Sequence, residues 1–346
     1  MSEMNQRYDV VVIGGGAAGL SGALALARAR RSVLVIDAGS PRNAPASHVH
    51  NYLGREGAPP SELLAIGRAE AADYGAEIIR GSVVSAEKLA DGFRVVQEDG
   101  SAVHARRLLV TTGIVDELPD VKGLAERWGN EVLHCPYCHG WEVRDQAIGI
   151  LAVSPMALHQ ALLWRQWSDD VVLFRHGRPD FSDEEYEQLA ARGISVVEGE
   201  VAALEVAGDR LTGVRLAGGT VIPRDALVVQ PRFTARSAVL ESLGLRPTEL
   251  EVGGQVVGTY IAADPAGATD VPGVWVAGNV ANLMEQVVGA AAAGLKAASM
   301  INMDLVTDDT GRAVDARRAP FSAEAERQVT ERVLGDRRHG LQETSR

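Results

Sequence analysis

Residues 8–13, Tyr-Asp-Val-Val-Val-Ile, are a short apolar run rich in β-branched side chains, and Gly14-Gly15-Gly16-Ala17-Ala18-Gly19 follows at once. Such a run suits a strand buried on both faces of a parallel sheet. The segment LSGALALARA has helix-forming composition, and a second β-branched run, SVLVID, ends at Asp37. Strand, glycine turn, helix, strand and terminal acid in this order leave little choice of fold. Gly14 permits a tight turn, Gly16 lets the backbone approach a pyrophosphate, and Gly19 lets the helix lie close on the strand. An acid about 20 residues past the first glycine is placed to accept from ribose hydroxyls. The chain therefore starts an α/β domain with a dinucleotide site.

At 346 residues the chain is long enough for two cored domains. Its formal charge of −12 argues against a general nucleic-acid binder, which needs basic surface. No apolar run reaches the roughly 18 residues that a membrane-spanning helix needs, and the N-terminus has no signal-peptide anatomy. These features predict a cytoplasmic protein.

Only two cysteines occur, Cys135 and Cys138, in the stretch LHCPYCHGWE. In that compartment paired thiols are more often catalytic than structural. A closed zinc site needs four ligands and would have to recruit His134 and His139. A purely structural disulfide is a further alternative. Near a βαβ pattern, C-x-x-C reads as redox-active.

Further along, VPGVWVAGNV (271–280) carries a strand into Gly278-Asn279, and a small-residue helix follows in which Ala290 to Gly294 permit close packing. The ordered set GGGAAG, TTG (111–113), CPYC and PGVWVAGNV…EQVVGAAAAG resembles the thioredoxin reductase family of flavoproteins over roughly residues 7–305. The resemblance implies FAD as cofactor. Gly14, Gly16, Ala17, Ala18, Gly19, Asp37 and Ala38 would hold its adenosine and pyrophosphate half, with Arg42 at a phosphate or ribose. Asn51, Thr112, Gly113, Gly278, Asn279, Gln286 and Val287 match positions along the rest of the cofactor. The family usually has aspartate at the position of Asn279, which can still accept through its carbonyl oxygen. The implied fold is α/β with two Rossmann-like domains. A split FAD domain (1–117 and 249–305) is interrupted by an insert (118–248) that carries CPYC, and a linker and C-terminal helix (306–346) follow. A homodimer is also implied.

In the family the insert binds NADPH. Here AIGIL, PMALHQALLWRQW and DVVLFR keep the strand–helix–strand order, but Leu151, Ala152 and Val153 replace the glycine cluster. A Cβ there pushes the backbone away from a pyrophosphate, and Pro155 lacks an N–H. The basic cluster for the extra phosphate is reduced to Arg175-His176-Gly177. An unorthodox but working NADPH loop is the competing reading.

By the resemblance Cys138 lies beside the flavin and Cys135 meets the substrate. The usual aspartate after the second cysteine is replaced by His139, a base able to take a thiol proton near neutral pH. The motif CPYCHGWE, together with the missing glycines, resembles a branch of small-molecule dithiol oxidases, the gliotoxin and holomycin type. That likeness implies a small dithiol as substrate and dioxygen as acceptor, giving hydrogen peroxide. Two other readings stay open: a disulfide reductase fed by NADPH or another donor such as ferredoxin, and a non-catalytic redox-sensing flavoprotein. His48 and His50 are candidates to reach the active site, Trp141 reads as packing, and no metal is expected. In the tail, TDDTG (307–311) reads as a linker. Pro320-Phe321-Ser322 opens a helix with Ser322 as N-cap, Leu334-Gly335 closes it, and Asp336 to His339 could reach over an active site.

Overall fold

The computed structural model describes residues 7–178, 180–319 and 322–334. It divides into two compact units, residues 1–299 and 300–346. In the first unit the parallel strands run Glu77–Arg80, Val33–Asp37, Arg7–Ile13, Ala102–Val110 and Val274–Val276 in spatial order. An antiparallel pair, Val83–Leu89 and Gly92–Gln97, continues this sheet from Ala102–Val110. Val10, Val11 and Val12 have no solvent exposure, which is why the first strand is apolar on both faces. The helix Ala17–Arg28 crosses between the first two strands and buries Leu20, Ala23, Leu26 and Ala27. On its outer side Gly294 of the helix Val287–Arg318 approaches so closely that a Cβ there would meet the Ala18 carbonyl oxygen at 2.0 Å. The small-residue segment thus exists to let two helices touch backbone to backbone.

A second sheet is parallel throughout: Ser195–Val197, Val171–Phe174, Ile148–Leu151, Ala226–Val229 and Val132–Leu133. The helix Ala157–Trp164 covers it with Ala161 and Trp164 fully buried. A four-stranded sheet then joins Ile114–Glu117 to Arg232–Ala235, Gln255–Tyr260 and Thr248–Val252. Ala235, Val239, Leu240 and Leu245 enter the core of the first sheet, and the Ser242 hydroxyl bonds the backbone of Ala86. After Val229 the chain leaves the second sheet, and Arg232–Ala235 finds its partner in Ile114–Glu117.

The linker expected at 307–311 does not form, and helix Val287–Arg318 continues through it. Thr307 and Thr310 donate their hydroxyls to the carbonyls of Met303 and Val306 at 3.1 and 2.8 Å, and Arg312 pairs with Asp308 at 3.0 Å. Back-bonded threonines satisfy themselves inside a helix, and one glycine costs only about 1 kcal/mol. The last described helix is Ala323–Leu334, capped as expected by the Ser322 hydroxyl, which accepts from the Ala325 N–H at 3.1 Å. Pro320-Phe321, Gly335 and Asp336 to His339 lie outside the described residues. Among the described residues no helix is long and apolar enough to cross a membrane.

Candidate active site

The glycine turn is built from the inside outward. Gly14 has φ +105° and donates to the Ile36 carbonyl at 2.9 Å, and Gly15 donates to the Asp37 carboxylate at 3.1 Å. Thr111 donates its hydroxyl to the Gly14 carbonyl at 2.8 Å. A Cβ on Gly14 would meet the Thr111 carbonyl oxygen at 2.6 Å, and one on Gly19 would meet the Gly14 oxygen at 1.9 Å. Gly16 is different: a Cβ there would meet nothing within 4 Å. It caps the helix without a side-chain bond, so the first-turn N–H groups at Ala17 and Ala18 have no intrahelical acceptor. That combination is an open anion cradle. Gly278, with φ +74°, sits beside it, 3.1 Å from the Ala18 Cβ when given a Cβ of its own. Asn279 turns its amide nitrogen to the carbonyls of Asn282, Leu283 and Glu285 at 3.0–3.2 Å. An aspartate could not donate these bonds. They explain the asparagine and leave its oxygen for a ligand. Gln286 and Val287 stand where the long helix starts. Ala38 is exposed beyond the acid, while Thr112 and Gly113 bond the backbone of Arg236 at 2.7 and 3.0 Å. The residues present fit FAD.

Cys135 precedes the four-residue helix Pro136–His139. The Cys138 thiol donates to Cys135, burial opposes, and the N–H groups of Cys138 and Tyr137 also donate to it. Together they bring the Cys135 thiol from 9.0 down to about 7. The same bond and burial push Cys138 up. Cys135 is thus the more acidic thiol of the two. Arg42 adds positive charge to both. Arg42 makes a bidentate pair with Asp116 at 2.8 and 2.7 Å, and its guanidinium lies 5.1 Å from the Phe233 ring centroid. Asp116 is only 8% exposed, so this carboxylate claims the nearest guanidinium. His134 packs edge-on against the same ring at 5.2 Å. Burial, then the Arg42 charge, pull it from 6.5 to about 4. The sequence singled His134 out only as a metal ligand. Among the described residues no three His, Cys, Asp or Glu side chains are grouped to hold a metal ion.

The loop carrying Asn51 is tied directly to CPYC. Asn51 has φ +60°, and its amide donates to the Tyr137 carbonyl at 2.6 Å while its N–H donates to Glu56 at 2.8 Å. His50 lies between Glu56 at 2.6 Å and Glu142 at 3.4 Å. His48 is exposed, its ring 6.0 Å from that of His50. Both ring nitrogens of His139 are shielded from solvent and have no protein partner among the described residues. Burial lowers its pKa, with Glu142 opposing and His50 assisting, so near neutral pH it is an uncharged base. Trp141, expected to be packed, is 65% exposed with the Arg144 guanidinium 4.2 Å from its ring centroid.

The loop of the second sheet is closed on itself. Leu151 and Ala152 are fully buried. The Ala152 N–H donates to Phe174 at 2.9 Å, Val153 to Leu151 at 3.0 Å, and Met156 and Ala157 both to Ser154 at 3.2 Å. Pro155 has no N–H, and it packs against Gly253 of the Thr248–Tyr260 hairpin. Arg175 is held by Glu198 and Asp180, and His176 accepts from the Val201 N–H at 3.0 Å.

Residues 8–294 match the model of the pyridine nucleotide-disulphide oxidoreductase family. Thioredoxin reductase tcpT of Claviceps purpurea is 33% identical over 88% of this chain and 96% of its own length. Thioredoxin reductase sirT of Leptosphaeria maculans is 31% identical over 87% and 95%. The crystal structure of HlmI superposes with a TM-score of 0.85 at 46% identity, covering 93% of this chain and 99% of that one. The chain belongs to the pyridine nucleotide-disulphide oxidoreductase family, as an FAD-binding oxidoreductase of the thioredoxin reductase type.

Proposed function

We propose that the protein oxidises a small-molecule dithiol to its disulfide, with dioxygen as the final acceptor and hydrogen peroxide as product. The observation that carries this reading is the self-bonded loop at 151–157, whose N–H groups at Ala152, Val153, Met156 and Ala157 already have protein acceptors. A pyrophosphate there would have to displace those bonds and buried side chains. The reductant must then come from the thiol side.

His139, uncharged and beside the dithiol, takes the proton from an incoming thiol. The resulting thiolate attacks Cys135 of the Cys135–Cys138 disulfide, forming a mixed disulfide and releasing the Cys138 thiolate, which takes the proton from the His139 imidazolium because its pKa is raised. His139 then takes the proton of the second substrate thiol, and the thiolate so formed attacks the substrate sulfur bound to Cys135. The product disulfide forms and Cys135 leaves as thiolate, favoured by its pKa of about 7. Bound FAD supplies the two-electron acceptor that re-forms the enzyme disulfide and passes the pair to dioxygen. Gly14, Gly16, Ala17, Ala18, Gly19, Asp37, Gly278, Asn279, Gln286 and Val287 would hold it.

We further propose a cytoplasmic homodimer in which residues 1–117 and 249–305 form the FAD-binding part around an inserted domain, 118–248. Support for the split comes from the first sheet, which takes strands from both sides of the insert. Support for the dimer is the exposed pair Val288 and Leu295 on one face of the long helix; a single-chain mass in sedimentation would refute it. The functional test uses dithiothreitol in air. Disulfide and peroxide should form in equal amounts, and Cys138→Ser should abolish both. Thiol oxidation without peroxide, or wild-type rates in Cys138→Ser, would overturn the assignment.

A further inference from the structure

A proton taken by His139 has no direct way out among the described residues, since both its ring nitrogens are shielded and have no partner there. Oxidising a dithiol strips two protons from sulfur each turnover, so the base must be emptied before it acts again. The structure places a second set of titratable groups against it. Asn51 grips the Tyr137 carbonyl at 2.6 Å on one side of His139, and His50 reaches Glu142 at 3.4 Å on the other. The two contacts clamp the loop 48–56 along residues 137–142, the stretch that carries His139. Asn51 holds a left-handed φ of +60° to do this, a conformation costly for a residue with a Cβ, and Glu56 secures it by accepting from its N–H at 2.8 Å. The other ring nitrogen of His50 lies 2.6 Å from Glu56, whose side chain is 63% exposed.

We propose that the His50–Glu142 pair receives the thiol proton from His139 and that Glu56 delivers it to water. This inference rests on the dithiol oxidase reading for its direction. From Glu142 through His50 to Glu56 the contacts are continuous, and His139 ends the short helix three residues before Glu142. A proton leaves the substrate sulfur for a His139 nitrogen, passes to the Glu142 carboxylate shared with His50, crosses the imidazole, and exits from Glu56. No electron moves in any of these steps. The other titratable groups near His139 are Cys135 and Cys138 on its own turn, His134 on the preceding strand side, and His48 at the mouth of the loop. Among the described residues Glu142 favours the His139 imidazolium and His50 opposes it.

Two measurements test the proposal. Imidazole NMR on the reduced holoprotein should show the His139 titration moving down in Glu142→Gln and up in His50→Gln. If neither variant moves it, or both move it the same way, the groups are not coupled and the relay is wrong. Anaerobic flavin reduction by dithiothreitol should slow about 100-fold in His50→Gln near pH 7, the low end for a positioned acid–base group, and added imidazole should restore it. A slowed variant that imidazole does not rescue would mean a structural role and overturn the relay. If dithiothreitol fails to reduce the wild-type flavin, the oxidase reading falls, while the NMR result still decides the coupling.

Discussion

Removing the Cys138 sulfur should change the chemistry of Cys135 more than its surroundings. In Cys138→Ala the bond that contributes most to the low Cys135 pKa is gone. If the value returns from about 7 to its ordinary 9.0, the thiolate fraction at pH 7 falls from about one half to about 1%, a loss of about 50-fold. A more basic thiolate is intrinsically the better nucleophile by about 8-fold over that range. The observed rate at pH 7 should therefore drop only about 6-fold, and the midpoint of the pH profile is the decisive quantity. Iodoacetamide alkylation of the reduced protein, followed by mass spectrometry from acid to alkaline pH, reads it directly. The wild type should show a first midpoint near 7, and Cys138→Ala one well above it. Arg42→Met should also raise the midpoint, by less, because its charge is the smallest of the contributions. An unchanged midpoint in Cys138→Ala would refute the hydrogen-bond account, and a wild-type midpoint near 9 would refute the low pKa itself.

Two further outcomes follow from the geometry. Gly16→Val adds a side chain where a Cβ meets nothing within 4 Å, so the purified variant should keep its circular dichroism but lose the yellow colour. Gly14→Val, at φ +105° and 2.6 Å from the Thr111 oxygen, should lose fold and flavin together; a yellow Gly16→Val would contradict the cradle. His134 stays neutral in the fold down to about pH 4, whereas unfolded it takes a proton near 6.5. The unfolded chain binds more protons in that window, so stability rises with pH from about 4 to 6.5 by about 3 kcal/mol and is then flat. Thermal melts should show this acid limb flattened in His134→Asn; an equally steep limb would exclude His134 as its source.

What could be read in the sequence was what is written locally along the chain. The strand, glycines and Asp37 lie within 30 residues, and turn geometry and backbone approach depend on those residues alone. The dithiol and its histidine are one turn. What could not be read was set by contacts across the chain. Arg42 meets Asp116 and Asn51 meets Tyr137 only because the fold brings them together. The missing aspartate at 279 was visible, but not the three carbonyls that make asparagine the better residue. The continuous helix through TDDTG was missed because threonine and aspartate favour turns until their side chains find partners one turn back. The pairing of Arg232–Ala235 with Ile114–Glu117 could not be read either, because strand pairing, not composition, decides it.

The central claim is that electrons enter from a thiol and not from a nicotinamide. Anaerobic stopped-flow mixing of the oxidised holoprotein with NADPH, and separately with dithiothreitol, compares the two donors on one flavin signal. The account predicts rapid bleaching by the dithiol, lost in Cys138→Ser, and little or none by micromolar NADPH. Fast bleaching by micromolar NADPH would contradict it and make the protein a disulfide reductase with an unorthodox nucleotide loop.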